Sequence, residues 1–123
     1  MKPRSAKAKG KRFEKKVGQL IAASINEKYG RYEMVRPAFG GEPGRDIILV
    51  GAAAEKYPFS VECKCQERWD IPAYIEQAIK NCQPGNDYQV VIAKNRTEPH
   101  VIMKFDVWLD YWQQYCQFVW GSG

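Results

Sequence analysis

Histidine is nearly absent from this chain: His100 is the only one in 123 residues. Any site built on two imidazoles is therefore excluded. Cysteine occurs four times, at 63, 65, 82 and 116, with no C-x-x-C knuckle. Without such a knuckle or a histidine partner, a zinc site is not expected, and the thiols read as small buried hydrophobes. No apolar run approaches the roughly 18 residues that a membrane span needs. The first residues are basic, but no apolar core follows them, so a secretory signal is not expected either. Reduced thiols in a cytoplasmic protein are the resulting expectation. There is no internal repeat and no linker. The length suits one domain, and the 45% hydrophobic and 27% charged composition is that of a globular chain rather than a disordered one.

The net charge of +5 is unevenly placed. Residues 2 to 16 carry eight basic groups and a single acid, Glu14, whereas the rest of the chain holds eleven basic and thirteen acidic residues. The whole excess sits at the N-terminus. A basic arm on a near-neutral body is an electrostatic footprint for a polyanion, of which nucleic acid is the commonest; a solubilising tail is the plainer alternative. Residues 1 to 10 read as a flexible basic arm and 11 to 120 as one folded domain. The closing Gly121-Ser122-Gly123 reads as a vector-derived remnant.

Hydrophobic periodicity predicts a helix from Lys11 to about Lys28, carried by Phe13, Val17, Leu20, Ile21 and Ile25 and stopped near Gly30. A short strand follows at Tyr32–Arg36, closed by Pro37. After loop chemistry at Gly40–Gly44, strands are expected at 46–50 and 59–65, forming a hairpin around a long turn at Gly51–Pro58. Asp70 and Pro72 open a helix that runs to about Cys82. Strands at 88–94 and 101–105 precede a last helix that Asp106 caps and that packs through Trp108, Leu109 and Trp112. The predicted order is α-β-β-β-α-β-β-α, an α/β fold with a mixed central β-sheet flanked by helices. The cluster of late aromatics (Trp108, Tyr111, Trp112, Tyr115, Phe118, Trp120) is larger than a core of this size absorbs, which points to an oligomer interface.

Three acids and one lysine fit poorly as ordinary surface residues. On an ideal helix Val17, Ile21 and Ile25 lie at about 40°, 80° and 120° from Phe13, and Glu14 lies at about 100°, inside the apolar stripe. A carboxylate there requires a cation, a hydrogen-bond network or a water-filled cleft; pairing with a neighbouring lysine is the structural alternative. Asp46 opens the apolar run Ile47–Val50, where a loop-end cap is the structural alternative. In Ser60-Val61-Glu62-Cys63-Lys64-Cys65, period two places Glu62 and Lys64 on one face and Val61, Cys63 and Cys65 on the apolar other. Together, Asp46 and Glu62 would stand side by side across the expected hairpin. Two adjacent carboxylates repel unless a divalent cation neutralises them. An all-oxygen donor set points to Mg2+, with Mn2+ able to substitute, and hence to hydrolysis of a phosphodiester with Lys64 beside the reacting phosphate.

Gly44-Arg45-Asp46-Ile47 followed by Val61-Glu62-Cys63-Lys64 resembles the PD-(D/E)XK nuclease motif. With Lys9-Gly10-Lys11-Arg12-Phe13-Glu14 ahead of it, the chain from about Gly10 to Tyr111 resembles archaeal-type (Hjc-like) Holliday junction resolvases, including their phage-borne relatives. The resemblance implies a restriction-endonuclease-like fold and an active site of Glu14, Asp46, Glu62 and Lys64, with Asp46, Glu62 and Glu14 as metal ligands. It adds Gln77 from the middle helix, although that residue lies off the apolar face. It also implies a homodimer that nicks opposite strands of a four-way DNA junction symmetrically. DNA contacts would come from Lys7, Lys9, Lys11, Arg12, Lys15, Arg36 and Arg45, with no membrane and no small-molecule cofactor involved. Another PD-(D/E)XK endonuclease, acting on duplex, nicked or flapped DNA, and a non-catalytic DNA-binding protein are the alternatives. The site would then work in the cytoplasm of a bacterial, archaeal or phage-infected cell. The sequence departs from the resolvase pattern in its long 51–58 turn and in Gly-Arg-Asp where Pro-Asp is usual.

Overall fold

The structure is a computed structural model that describes the backbone of residues 3–25, 34–38 and 45–121, with side chains from Ala8 onward. The expected helix stop at Gly30, the beginning of the first strand and the 40–44 loop lie outside the described residues. The elements run α1 (Pro3–Ile25), β1 (Val35–Pro37), β2 (Ile47–Leu49), α2 (Ala52–Lys56), β3 (Phe59–Cys65), α3 (Ile71–Asn81), β4 (Asp87–Ala93), β5 (His100–Ile102) and α4 (Phe105–Trp120). The fold is mixed α/β, as expected, with a three-stranded mixed sheet flanked by helices. No helix among the described residues is long and apolar enough to cross a membrane.

The first helix starts well before Lys11. Pro3 opens it, and the backbone of 3–10, expected as a flexible arm, is helical. Proline suits a first helical turn, and the alanines and lysines that follow are good helix formers, so one glycine at position 10 does not break the run. Phe13, Val17 and Ile21 form the buried stripe, as the periodicity requires. They pack with Val35, Ile47, Leu49, Ala53, Phe59, Val61 and Ala93 in the main core.

The expected hairpin is not what forms. β2 pairs antiparallel with β1, with Arg36 opposite Ile48, and Pro37 lies inside β1 rather than after it. β3 pairs parallel with β4 over its full length, with Glu62 opposite Val90 and Lys64 opposite Ile92. Residues 51–58 hold a short helix rather than an open turn. Gly51, at φ +59°, makes the corner that only glycine adopts without strain, and Ala53 is buried beneath it. That helix turns β3 away from an antiparallel return on β2. The backbone hydrogen bond that joins the two segments runs from Asp46 N–H, just ahead of β2, to Val61 O inside β3, at 2.8 Å. A parallel β3–β4 pair needs a covering crossover, and α3 supplies it.

Period two along β3 predicts a half-buried strand with Glu62 and Lys64 together on the face opposite the apolar one. Phe59, Ser60, Val61 and Glu62 are all buried, because α1 covers one face of the strand and α3 the other. On the α3 side, Tyr74 and Ala78 close over Val90 and Ile92 in a second small core. Burial of an aliphatic side chain such as Val61 stabilises by roughly 1.5–3 kcal/mol. α3 itself follows the sequence closely: Asp70 accepts the Ala73 N–H at 3.2 Å as N-cap, with proline in the first turn.

α4 departs more. Its N-cap is Lys104 without a side-chain cap, Asp106 lies in its first turn, and Phe105, expected in the preceding strand, is its first residue. It docks through half-buried Val107 and Tyr111, not through Trp108, Leu109 and Trp112, which are exposed. Phe105, Trp108, Trp112, Tyr115 and Val119, spaced three and four apart, are each 45–70% exposed along one stripe. Trp108 stacks on Trp112, and Trp112 on Tyr115.

Candidate active site

Asp46 lies just ahead of β2 and is tied to β3 twice. Besides its N–H to Val61, its Oδ2 accepts the Cys63 N–H at 2.7 Å. Those bonds do what the missing hairpin ladder would have done: they set the Asp46 carboxylate beside Glu62. Glu62 is only 2% exposed, and its Oε1 accepts from Asn81 Nδ2 at 2.9 Å. Burial raises its carboxyl, to about 7. The Asn81 hydrogen bond and the Lys64 charge pull it down, while Asp46 pushes it up by charge and by side-chain hydrogen bonding.

Lys64 projects from the same face, with Nζ donating to Gln77 Oε1 at 2.7 Å and lying 5.4 Å from the centre of the Tyr74 ring. Gln77, off the apolar face of α3 as its angle requires, thus reaches the site after all. Glu14 arrives from α1. Its Oε2 is 3.6 Å from Lys11 Nζ, an i,i+3 ion pair too long for a hydrogen bond. Lys11 gives its hydrogen bond to Ala38 O instead, at 3.0 Å. The Glu14 Oε2 is buried without a hydrogen-bond partner among the described residues. Burial raises the Glu14 carboxyl, the Asp46 charge adds to the rise, and Lys11 opposes both.

The donors are all oxygen: two carboxylates in contact and a third with an orphaned buried oxygen nearby. This is the chemistry that a hard divalent cation accepts. Among the described residues no group of three or more His, Cys, Asp or Glu is arranged to hold a metal. Asp46 and Glu62 are in contact, and Glu14 adds a third carboxylate close enough for the Asp46 charge to act on it.

The predicted DNA contacts divide. Lys11, Arg12 and Lys15 are exposed on α1, Arg36 and Arg45 are half-buried, and Lys9 is buried. The Lys7 side chain lies outside the described residues. Lys9 and Gly10 border a groove of about 430 Å3 whose other wall runs from Cys63 through Lys64 to Glu67. Lys9, Arg12 and Lys16 all press on Cys65 electrostatically, while burial raises its thiol. Lys16 was missed, although the spacing 9, 12, 16 marks a single helix face. Tyr74 and Asn81 were also missed, and their signal was the spacing 74, 77, 81 on the helix that covers Glu62 and Lys64.

A family described as "Phage putative PDDEXK endonuclease" matches residues 5–117. The chain belongs to this family. The match spans α1 to α4 and includes every site residue named above. Neither a curated protein nor a solved structure matches the chain. Membership in a PDDEXK endonuclease family places it among the nucleases, phosphodiester hydrolases that act on DNA with divalent metals. The matched span contains Asp46 and Glu62-Cys63-Lys64, the residues that the sequence resemblance assigns to the motif's aspartate and its (D/E)XK element. The restriction-endonuclease-like fold expected from the resemblance accords with the mixed sheet and its flanking helices.

Proposed function

We propose that this PDDEXK endonuclease is a structure-selective enzyme that resolves four-way DNA junctions by paired symmetrical nicks, as a homodimer and with Mg2+, for which Mn2+ substitutes. The observation that carries the catalytic part is the Asp46–Glu62 contact beside Lys64: like charges held together in a buried setting gain from a cation between them. Asp46 and Glu62 would hold it, with Glu14 close by. When bound, a divalent cation lowers the pKa of a water and neutralises charge developing on the phosphate. The protein contributes the rest. The Cys63 N–H and Asn81 hold the two carboxylates, Gln77 and the Tyr74 ring hold the Lys64 ammonium, and that ammonium faces the charge of the five-coordinate phosphate. A pure DNA binder gains nothing from acids facing phosphates, which disfavours the non-catalytic alternative.

The substrate part rests on shape. Lys9, Lys11, Arg12, Lys15, Arg36 and Arg45, with Lys7, would follow the phosphate path, and contacts to phosphates set a protein's position on DNA without reading its bases. The dimer rests on α4. Its exposed stripe repeats at three and four residues, the seam spacing of paired helices, and the helix carries acids but no basic residue, which suits a second copy rather than DNA. The site of action is the cytoplasm of a phage-infected bacterial or archaeal cell. Another PDDEXK endonuclease, cutting duplex, nicked or flapped DNA, fits the family equally well. A cleavage assay decides: four-way junction against linear duplex of the same sequence, with and without Mg2+. Junction-selective, Mg2+-dependent paired nicks support the proposal, and equal cutting of the duplex overturns the junction reading.

A further inference from the structure

α3 presents Tyr74, Gln77 and Asn81 at spacings of three and four, so the three share one helix face. β3 presents Glu62 and Lys64 at a spacing of two on the face that α3 covers. The two amides meet the two charges in register: Gln77 Oε1 takes Lys64 Nζ at 2.7 Å, and Asn81 Nδ2 gives to Glu62 Oε1 at 2.9 Å. The dimensions explain the match. Four helical residues rise about 6 Å, and two strand residues span about 6.6 Å. The amides also divide by polarity: Gln77 presents its acceptor to the ammonium and Asn81 its donor to the carboxylate.

We infer that Asn81 is a positioning residue that fixes the Glu62 carboxylate for metal capture, separately from Gln77, which fixes Lys64 for turnover. This rests on the proposed metal-dependent reading. Glu62 is buried, and Asn81 engages only its Oε1. The bond therefore pins the carboxylate's rotation while leaving the rest of its acceptor capacity for a cation. Gln77 is exposed and holds the lysine from outside. One helix would then tune two separable parameters, the metal concentration that the enzyme needs and its rate once metal is saturating. The C-terminal turn of α3, with the Cys82 N–H bonded to Ile79 O, ends the helix directly after Asn81.

The test uses the full chain and two probes, Mn2+ binding by calorimetry without DNA and DNA cleavage across a Mg2+ series. Asn81→Ala, and Asn81→Leu as a variant of preserved volume, should weaken Mn2+ binding and raise the half-maximal Mg2+ concentration by about 10–100-fold, the usual effect of losing a group that orients a metal ligand. The rate at saturating Mg2+ should stay within about three-fold. Gln77→Ala should do the reverse, lowering the saturating rate with the Mg2+ midpoint unchanged. In the wild-type protein, Mg2+ titration should shift the Asn81 side-chain amide resonances, which gives a readout independent of how the variants fold. Unshifted Asn81 resonances, or Asn81 variants with wild-type Mn2+ affinity, overturn the inference. Mn2+ binding that survives in the Asp46→Asn variant overturns the metal site itself, a distinct failure.

Discussion

The Cys63 backbone N–H donates to Oδ2 of Asp46 at 2.7 Å. A residue at the mouth of one strand is thereby locked onto the next, midway between Glu62 and Lys64, although the two strands share no ladder. The central carboxylate of the site is consequently pre-organised by backbone, not by a side chain that mutation could remove. Asp46→Asn keeps an acceptor for that N–H and should fold normally. It should lose cleavage by orders of magnitude while binding DNA as tightly as wild type or more so, since a charge repelling phosphate is gone. Single-turnover cleavage alongside gel-shift in EDTA checks both halves, and wild-type cleavage that persists in EDTA would contradict metal dependence.

Glu62 gives the metal-free protein a defined pH dependence. Its carboxyl sits at about 7 in the fold against an ordinary 4.5, so the folded state binds the proton more tightly than the unfolded chain. Its contribution to stability is full below about pH 4.5 and is lost as pH rises through 7. Among the described residues the groups acting on it are Asn81, Asp46 and Lys64, of which Asp46 repels the ionised form. Glu62→Gln should therefore stabilise the metal-free protein above pH 7, by up to about 3 kcal/mol, with the gain vanishing near pH 4. Urea melts at both pH values in EDTA measure it.

Glu14→Gln separates chemistry from structure. Among the described residues the side chain's Oε2 has no hydrogen bond to lose, and its ion pair with Lys11 is long and half open to solvent, worth at most about 1 kcal/mol. The variant should keep its melting temperature within a few degrees and lose cleavage rate by orders of magnitude. Wild-type cleavage with a lowered melting temperature would remove Glu14 from the site.

The basic face of α1 should act through salt. Arg12 and Lys16 are exposed, and each phosphate they neutralise adds about 0.9 to the slope of log K against log salt on duplex. Arg12→Ala with Lys16→Ala should flatten that slope by up to about 2 and weaken binding to every DNA alike. An unchanged slope in filter-binding titrations would take this face out of the DNA contact.

Trp112 sits at the centre of the exposed α4 stripe, stacked between Trp108 and Tyr115. A stable dimer needs about 800 Å2 buried per partner, and a charge at the centre of such an interface is costly. Trp112→Glu should give a folded monomer by sedimentation, since this side chain contributes nothing to the buried core. Its nicks on a cruciform plasmid should become unpaired. Wild-type protein that sediments as a monomer would refute the α4 interface.

Much of this molecule is written in short-range pattern. The stripe Phe13, Val17, Ile21, the strand Phe59–Cys65 and the helix opened by Asp70 and Pro72 are local periodicity and capping, and they stand where the residues place them. Glu14 was legible as an anomaly because helical angles alone put a charge in an apolar stripe. Partners across sequence are another matter. Whether β3 returns along β2 or runs beside β4 depends on the corner at Gly51 and on the burial of Ala53, which no periodicity reports. The same choice put α3 over Glu62 and Lys64, covering the face that alternation sets opposite the apolar one and bringing in Asn81. α4 shows the reverse case: its aromatic spacing is plain in the sequence, but which stripe docks and which stays open was decided by packing against Phe59 and the main core. The sequence by itself determined which side chains could do chemistry, because their types and spacings are local. Only the tertiary structure decided which of them meet and what holds each in place, because contacts between distant segments depend on how whole elements stack.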